Sequence, residues 1–262
     1  MAKKYEELTF TDNFMFCKVM TRNPELAKSV IELIIGEEIE EIIVSEAEKS
    51  SKVLPDTKGS RLDVYVRTVD GRVIDIEMQT TLYSNLPRRM RYYQAIEDVN
   101  LLVEGEDYNK LPENIVIFIV LEDPYDFGFY KYTFENRCEE DSTLLFGDGT
   151  KKIFVNASGE SSEASPEMQS FLSYLKGGAA MSDITKEIDD AVESIRLNRL
   201  IGLEYMSINA HDTDVRNEGI RIGEARGLAQ GEEEIKQLKE EIKQLKEEND
   251  RLREEIQRLR NG

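Results

Sequence analysis

Asp63 and Glu77 are the residues whose type and spacing offer the most chemistry. They lie in the stretch RLDVYVRTVDGRVIDIEMQ, Arg61 to Gln79, which reads as two strands joined at Asp70-Gly71. A two-residue loop would oppose Val64 to Glu77 and mix apolar with charged side chains on each face, whereas one slip in register turns every side chain over. A three-residue loop, Val69-Asp70-Gly71 with the glycine left-handed, pairs Thr68 with Arg72 and Asp63 with Glu77. The faces then sort: Leu62, Val64, Val66, Ile74, Ile76 and Met78 on the core side, Asp63, Tyr65, Arg67, Asp75, Glu77 and Gln79 on the other. Opposed residues sit roughly 4.5–5.5 Å apart at Cβ, where like charges repel unless compensated. A hard divalent cation is one compensator, because Mg²⁺ is commonly held by one or two carboxylates with water and phosphate. Asp63 and Glu77 are therefore candidate metal ligands; the alternative is a solvated polar face that keeps the sheet soluble.

The composition narrows the chemistry. A single histidine, His211, disfavours Ser-His-Asp catalysis, a Cys-His dyad and a multi-histidine zinc site. Cys17 and Cys138 form no redox or metal pattern and read as small core residues in a reducing cytoplasm. Hydrolytic chemistry is left to carboxylates and a hard metal. A net charge of −19 argues against coating nucleic acid by bulk electrostatics, while leaving room for a local basic patch. No apolar run reaches the roughly 20 residues of a membrane span, and MAKKYEELTF lacks the apolar core of a signal peptide, so no membrane partner is expected.

The elements that must position the acids follow in chain order. Leu8 to Phe16 mixes aromatics with a polar turn, and Pro24 opens a helix closed by Gly36, on which Glu25 or Glu32 would be either an extra acid or simply exposed. Ile39 to Val44 reads as a first strand and Ser45 to Gly59 as a polar link. After the hairpin, Leu86 to Val103 reads as a helix whose Arg88, Arg89, Arg91 and Tyr92 either contact phosphates or pair with nearby acids. Ile115 to Leu121 is a strand buried on both faces, and two more strands are expected over Phe127–Phe134 and Lys152–Val155. This order is an α/β arrangement with a mixed sheet. Beyond it come a Ser/Glu-rich linker, a helix from Pro166, a helix capped by Ser182-Asp183, and glycines at 219, 223, 227 and 231 that fit either a smooth helical ridge or a hinge. The division expected is 1–156, 157–231 and 232–262.

The last segment carries heptads, with Ile235, Ile242, Asn249 and Ile256 at a and Leu238, Leu245, Leu252 and Leu259 at d. Ile at a, Leu at d and one Asn at a predict a parallel two-stranded coiled coil, and Glu241, Glu248 and Glu255 at g complement Lys246, Arg253 and Arg260 at e of a partner.

With these pieces placed, the chain resembles the PD-(D/E)XK nuclease superfamily, in particular the Rpn-type recombination-promoting nucleases that are also classed as transposases. The resemblance rests on Thr11-Asp12-Asn13-Phe14, Arg61-Leu62-Asp63-Val64, Ile76-Glu77-Met78-Gln79, Arg91-Tyr92-Tyr93, Glu204-Tyr205-Met206 and the glycine ladder, over about Leu8 to Gly231. It implies a restriction-endonuclease-like αβββαβ core and a Mg²⁺-dependent DNA endonuclease, with Mn²⁺ as a substitute ion, acting in recombination or mobile-element DNA processing. No small-molecule cofactor is implied. Asp63 and Glu77 would be metal ligands with the Met78 backbone carbonyl, and Gln79 would stand in the place of the motif lysine, a Glu-x-Gln form that the resemblance implies is common in this branch. Asp63, Glu77 and Gln79 would thus be the catalytic set, with DNA and a second copy of the chain as partners. The alternative of another class is a nuclease fold kept as a dimeric scaffold.

Overall fold

A computed structural model describes residues 3–51 and 60–260. The chain divides into two compact units, Met1–Gly202 and Leu203–Gly262. In the first, α1 (Asn13–Arg22) and α2 (Pro24–Ile35) precede a meander of β1 (Ile42–Ser51), β2 (Ser60–Thr68) and β3 (Val73–Gln79). Helix α3 (Leu86–Leu101) then crosses to β4 (Asn114–Val120), followed by β5 (Lys131–Phe134), β6 (Thr150–Asn156), α4 (Pro166–Leu175) and α5 (Asp183–Arg196). The six strands form one sheet in the order β1-β2-β3-β4-β6-β5, antiparallel at β1-β2-β3 and β6-β5, parallel at β3-β4-β6.

The hairpin register agrees with the face-sorting argument. Val64 pairs with Ile76, Tyr65 with Asp75, Val66 with Ile74 and Arg67 with Val73; the ladder ends there, and this register continued one step brings Asp63 to the level of Glu77. Thr68 N–H donates to the Arg72 carbonyl at 3.1 Å, and Gly71 turns the chain at φ +92°. That left-handed conformation is strained for any residue with a Cβ, which is why glycine occupies the third loop position.

Other expectations are revised. A helix, α1, covers Asn13–Arg22, including part of the Leu8–Phe16 segment whose sequence shows aromatics and a polar turn. The first strand is Ile42–Ser51 instead of Ile39–Val44, so the expected polar link starts as strand; its remainder, 52–59, lies outside the described residues. A long polar, charged strand such as IIVSEAEKSS is stabilised by its ladder to β2, which hydropathy alone does not register. The face expected to be polar is also buried. Tyr65, Val73, Phe118 and Phe154 pack beneath Leu86, Met90 and Tyr93 of α3, while α1 packs against β1, β2 and β3. β3 is therefore covered on both faces, and the solvated-face alternative fails.

A buried polar clamp holds α3 in place. Gln94 Nε2 donates to the carbonyls of Asn114 (2.9 Å) and Lys151 (3.1 Å), and Asn114 Nδ2 donates to Asp98 on the helix (3.0 Å). Buried amides satisfied this way fix one helix position against β4 and β6. Further on, Ser182 caps α5 by accepting from Thr185 N–H, and α4 and α5 pack with α1 and α2. The last helix, α6 (Arg199–Arg260), runs unbroken through Gly219, Gly223, Gly227 and Gly231, which resolves the ridge-or-hinge alternative as helix. His211 is exposed on it. Ile235, Leu238, Ile242, Leu245, Leu252, Ile256 and Leu259 are exposed along it, as is Asn249.

Gly71→Ala is expected to lower stability by about 1–2 kcal/mol through the left-handed penalty. Urea unfolding should show the midpoint falling with the slope unchanged; an unaltered midpoint counts against this account of the turn.

Candidate active site

The site is built where the C-terminal half of β3 meets the first two turns of α3. Residues on β3 alternate, so Asp75 and Glu77 face α3 together with Val73, and both are buried to 1 % exposure. On α3, Arg89 and Tyr93 are four apart and share a face. Arg89 Nη2 donates to Glu77 Oε2 and to Tyr93 Oη, each at 3.0 Å, and Nη1 donates to Gln79 Oε1 at 3.0 Å. Gln79 Nε2 closes the triangle on Glu77 Oε2 at 3.0 Å. The guanidinium carbon also lies 5.5 Å from the Tyr93 ring centroid and 5.4 Å from that of Phe118. A planar, permanently charged fork suits such a site, since it hydrogen-bonds in plane while its faces rest on aromatic rings.

Across the hairpin, Asp63 Oδ2 accepts from the Met78 N–H at 3.1 Å, and Cys17 Sγ donates to the Asp63 carbonyl at 3.2 Å. N–H and C=O of one extended residue point to the same side of a strand, so the Met78 carbonyl is directed toward Asp63 as well. Glu77 Oε1 and both oxygens of Asp75 are buried with no hydrogen-bond partner among the described residues. The electrostatics reflect this crowding. Burial, then the charge of Asp63, pushes the Glu77 carboxyl up to about 8 despite Arg89. Asp75 is raised well above the carboxylate range by burial, followed by Glu77, Asp63 and Glu97. Tyr65 is pushed up to about 12 by burial and then by Glu97.

The structure thus brings together Asp63, Glu77, Gln79 and the Met78 backbone. It separates the basic residues: Arg89 is committed to the acids, while Arg88, Arg91 and Tyr92 lie exposed on α3. Glu25 is exposed, and Glu32 accepts from Ile39 N–H at 2.9 Å and pairs with Lys28 at 3.8 Å, so neither is an extra acid of the site. Cys17 is buried, but Cys138 is half-buried and bonds Glu140, which departs from the expected core role. Missed in the sequence were Asp75 as a buried acid, the Arg89–Tyr93 pair and the buried Glu97. The signals were present: Asp75 stands two residues before Glu77 on one face, and Arg89 and Tyr93 are at i and i+4.

The candidate donors are two neighbouring carboxylates, Asp63 and Glu77, and the Met78 carbonyl. Among the described residues no group of three or more His, Cys, Asp or Glu side chains is arranged for an ion, so a fuller all-protein cage is absent there. An all-oxygen pair with an unpartnered Glu77 oxygen still suits a hard cation that keeps water and phosphate in its shell.

A mixed sheet flanked by helices, with acids on its second and third strands, fits a PD-(D/E)XK-like fold. A family model described as PD-(D/E)XK nuclease family transposase matches residues 12–156, from α1 to the end of β6, and the chain belongs to that family. The match does not reach Glu204-Tyr205-Met206 or the glycine ladder. No curated protein and no solved structure matches the chain. PD-(D/E)XK nucleases generally use divalent metal ions.

Because the folded chain holds the Glu77 proton more tightly than the unfolded chain, its contribution to stability is complete below about 4.5 and lost as pH rises through about 8. Asp75 acts in the same direction. In metal-free buffer the melting temperature should fall across that window, and Glu77→Gln should flatten the fall; parallel profiles for the two proteins would contradict the raised pKa.

Proposed function

We propose that the protein is a divalent-metal-dependent endonuclease that hydrolyses phosphodiester bonds of DNA during recombination or mobile-element processing. The observation that carries it is the facing of Asp63 and Glu77 beside a hydrogen-bonded Gln79 and Arg89. Asp63, Glu77 and the Met78 carbonyl would hold Mg²⁺, or Mn²⁺ in its place. An ion there supplies Lewis-acid polarisation of the phosphodiester and acidifies the attacking water. Gln79, oriented by Arg89 Nη1, would position that water through its amide but has no proton to exchange. Arg89 supplies the positive charge that a motif lysine would have provided, aimed at the same acids from α3 instead of from β3. Arg88, Arg91 and Tyr92, exposed on the same helix, would contact the DNA backbone.

One such site cuts one strand. The apolar a and d stripe exposed on α6 would join two copies in a parallel coiled coil, giving two sites per assembly. A second reading, a metal-free dimeric scaffold, is favoured by Arg89 already neutralising Glu77.

Three outcomes are expected. Mg²⁺ or Mn²⁺ should raise the melting temperature of the wild type and support nicking of supercoiled plasmid, and Asp63→Ala or Glu77→Ala should abolish both; full activity in either variant sinks the assignment, and no divalent binding by calorimetry at millimolar ion supports the scaffold. Arg89→Ala should lower kcat by about 10²–10³, the usual cost of one charge-stabilising donor, with binding of the divalent ion retained. Protein truncated before Glu232 should be monomeric by light scattering where the full chain is dimeric.

A further inference from the structure

We propose that the cavity between α3 and the β5–β6 edge is a nucleotide pocket, which receives one unstacked nucleotide of the substrate strand with its base on the aromatic wall and its phosphate on Lys152. The inference rests on the nuclease reading above and adds a substrate-binding position to it.

The cavity measures about 380 Å³ and is lined by Pro87 and Met90 of α3 with Tyr125, Phe134, Phe154 and Lys152. That volume lies within the range of small-ligand sites. Its wall is three rings packed at steep angles: Tyr125 to Phe134 is 5.3 Å between centroids, Tyr125 to Phe154 is 5.6 Å, and Phe134 to Phe154 is 6.3 Å. Phe134 remains 42 % exposed on the edge strand, so part of its ring is accessible to a guest. Stacking on such a ring accepts any base, since every base has a π-face.

Charge selects the ligand class. The other polar residues at the cavity have partners, Glu135 with Arg137 at 3.1 Å and Asn136 with Asp148 at 2.6 Å. Neighbouring Lys151 is held by Glu113 at 3.0 Å and Glu37 at 3.2 Å, whereas Lys152 forms no ion pair among the described residues. Burial pushes the Lys152 ammonium below the usual lysine range; Asp148 opposes this and Arg91 adds to it. A half-buried cation beside Arg91 repels a cationic guest, and a wholly apolar guest would strand its charge. A nucleotide satisfies both the rings and the ammonium.

The position also agrees with the acid pair. Phe154 aligns with Phe118 and Phe118 with Glu77, while Lys152 aligns with Val116 and Val116 with Asp75. Aligned residues on neighbouring strands share a face, so the pocket lies on the α3 side of the sheet, two strands and roughly 10 Å from the acids.

The test is anisotropy of a labelled oligothymidylate of about eight nucleotides on the full chain in EDTA, against Phe134→Ala and Lys152→Gln, with thymidine monophosphate and polyglutamate as competitors. Each substitution should weaken oligonucleotide binding by about 5- to 100-fold in protein that still melts cooperatively above the assay temperature, and thymidine monophosphate should compete only through the intact pocket. Wild-type affinity in both folded variants overturns the proposal, as does polyglutamate competing equally well in wild type and Phe134→Ala, which would mark a site for acidic peptides. Cleavage measured with Mg²⁺ separates the two readings. Loss of cleavage in Asp63→Ala with unaffected binding in the pocket variants leaves the nuclease standing and the pocket refuted; pocket-dependent binding without any cleavage does the reverse.

Discussion

Two carboxylates on a strand buried on both faces are the constraint around which this domain is arranged. Asp75 and Glu77 sit in the middle of the sheet under α3, and three of their four oxygens have no partner among the described residues. Isolated buried carboxylates cost several kcal/mol each, so the rest of the structure must either neutralise them or keep them protonated. Arg89 does the first for Glu77, and the upward shift of both acids shows the second. The helix that brings Arg89 is locked by the Gln94–Asn114 clamp, which in turn ties β4 and β6 to the same crossover. A frame this determined stores the cost of a crowded acid site in a well-packed core, where Phe118, Phe154 and Tyr93 meet edge to face.

With an amide at Gln79, the charge beside the proposed acid pair comes from Arg89. A lysine on β3 would present a mobile ammonium that can exchange a proton; Arg89 presents a fixed fork from the neighbouring helix, anchored by Tyr93 and two rings. The fork bonds one oxygen of Glu77 and the carbonyl oxygen of Gln79, so it orients the amide as well as neutralising the acid. Tyr93 is itself pushed upward in pKa by burial and by Glu77, so it remains a hydroxyl and serves as an acceptor for Arg89.

Local pattern was enough to read much of this. Asp70-Gly71 together with face sorting defined the register that opposes Asp63 to Glu77, and the apolar run at Ile115–Leu121 marked the central parallel strand. Period alone could not reveal what covers a face. Asp63, Tyr65, Asp75 and Glu77 look like a polar side because alternation reports chemistry, not neighbours, and only the crossover of α3 buries Tyr65, Asp75 and Glu77. The same limit applied to the α3 arginines, for which phosphate contact and pairing with acids both remain open in the sequence; helix phase gives the second to Arg89 and leaves Arg88 and Arg91 exposed. β1 was cut short because its charged second half is held by pairing to β2, a non-local contact.

The charge of −19 is reconciled with a nucleic-acid substrate by distance. At physiological salt, fields from exposed charges decay over about 8 Å, so a phosphate at the α3 surface responds to Arg88, Arg91 and Lys152 far more than to acids elsewhere on the chain. The distant acids retain one effect: they weaken long-range attraction and slow association, which disfavours nonspecific coating of duplex DNA. In the proposed site the remaining terms would be short-range, stacking and a few phosphate contacts beside an acid pair, and these would favour locally unpaired strands over intact duplex because only unpaired bases present their faces to Phe134. On the proposed reading the acidic balance would act as a filter on which nucleic acid reaches the site, with the acids opposing general duplex binding and Phe134 favouring opened structure.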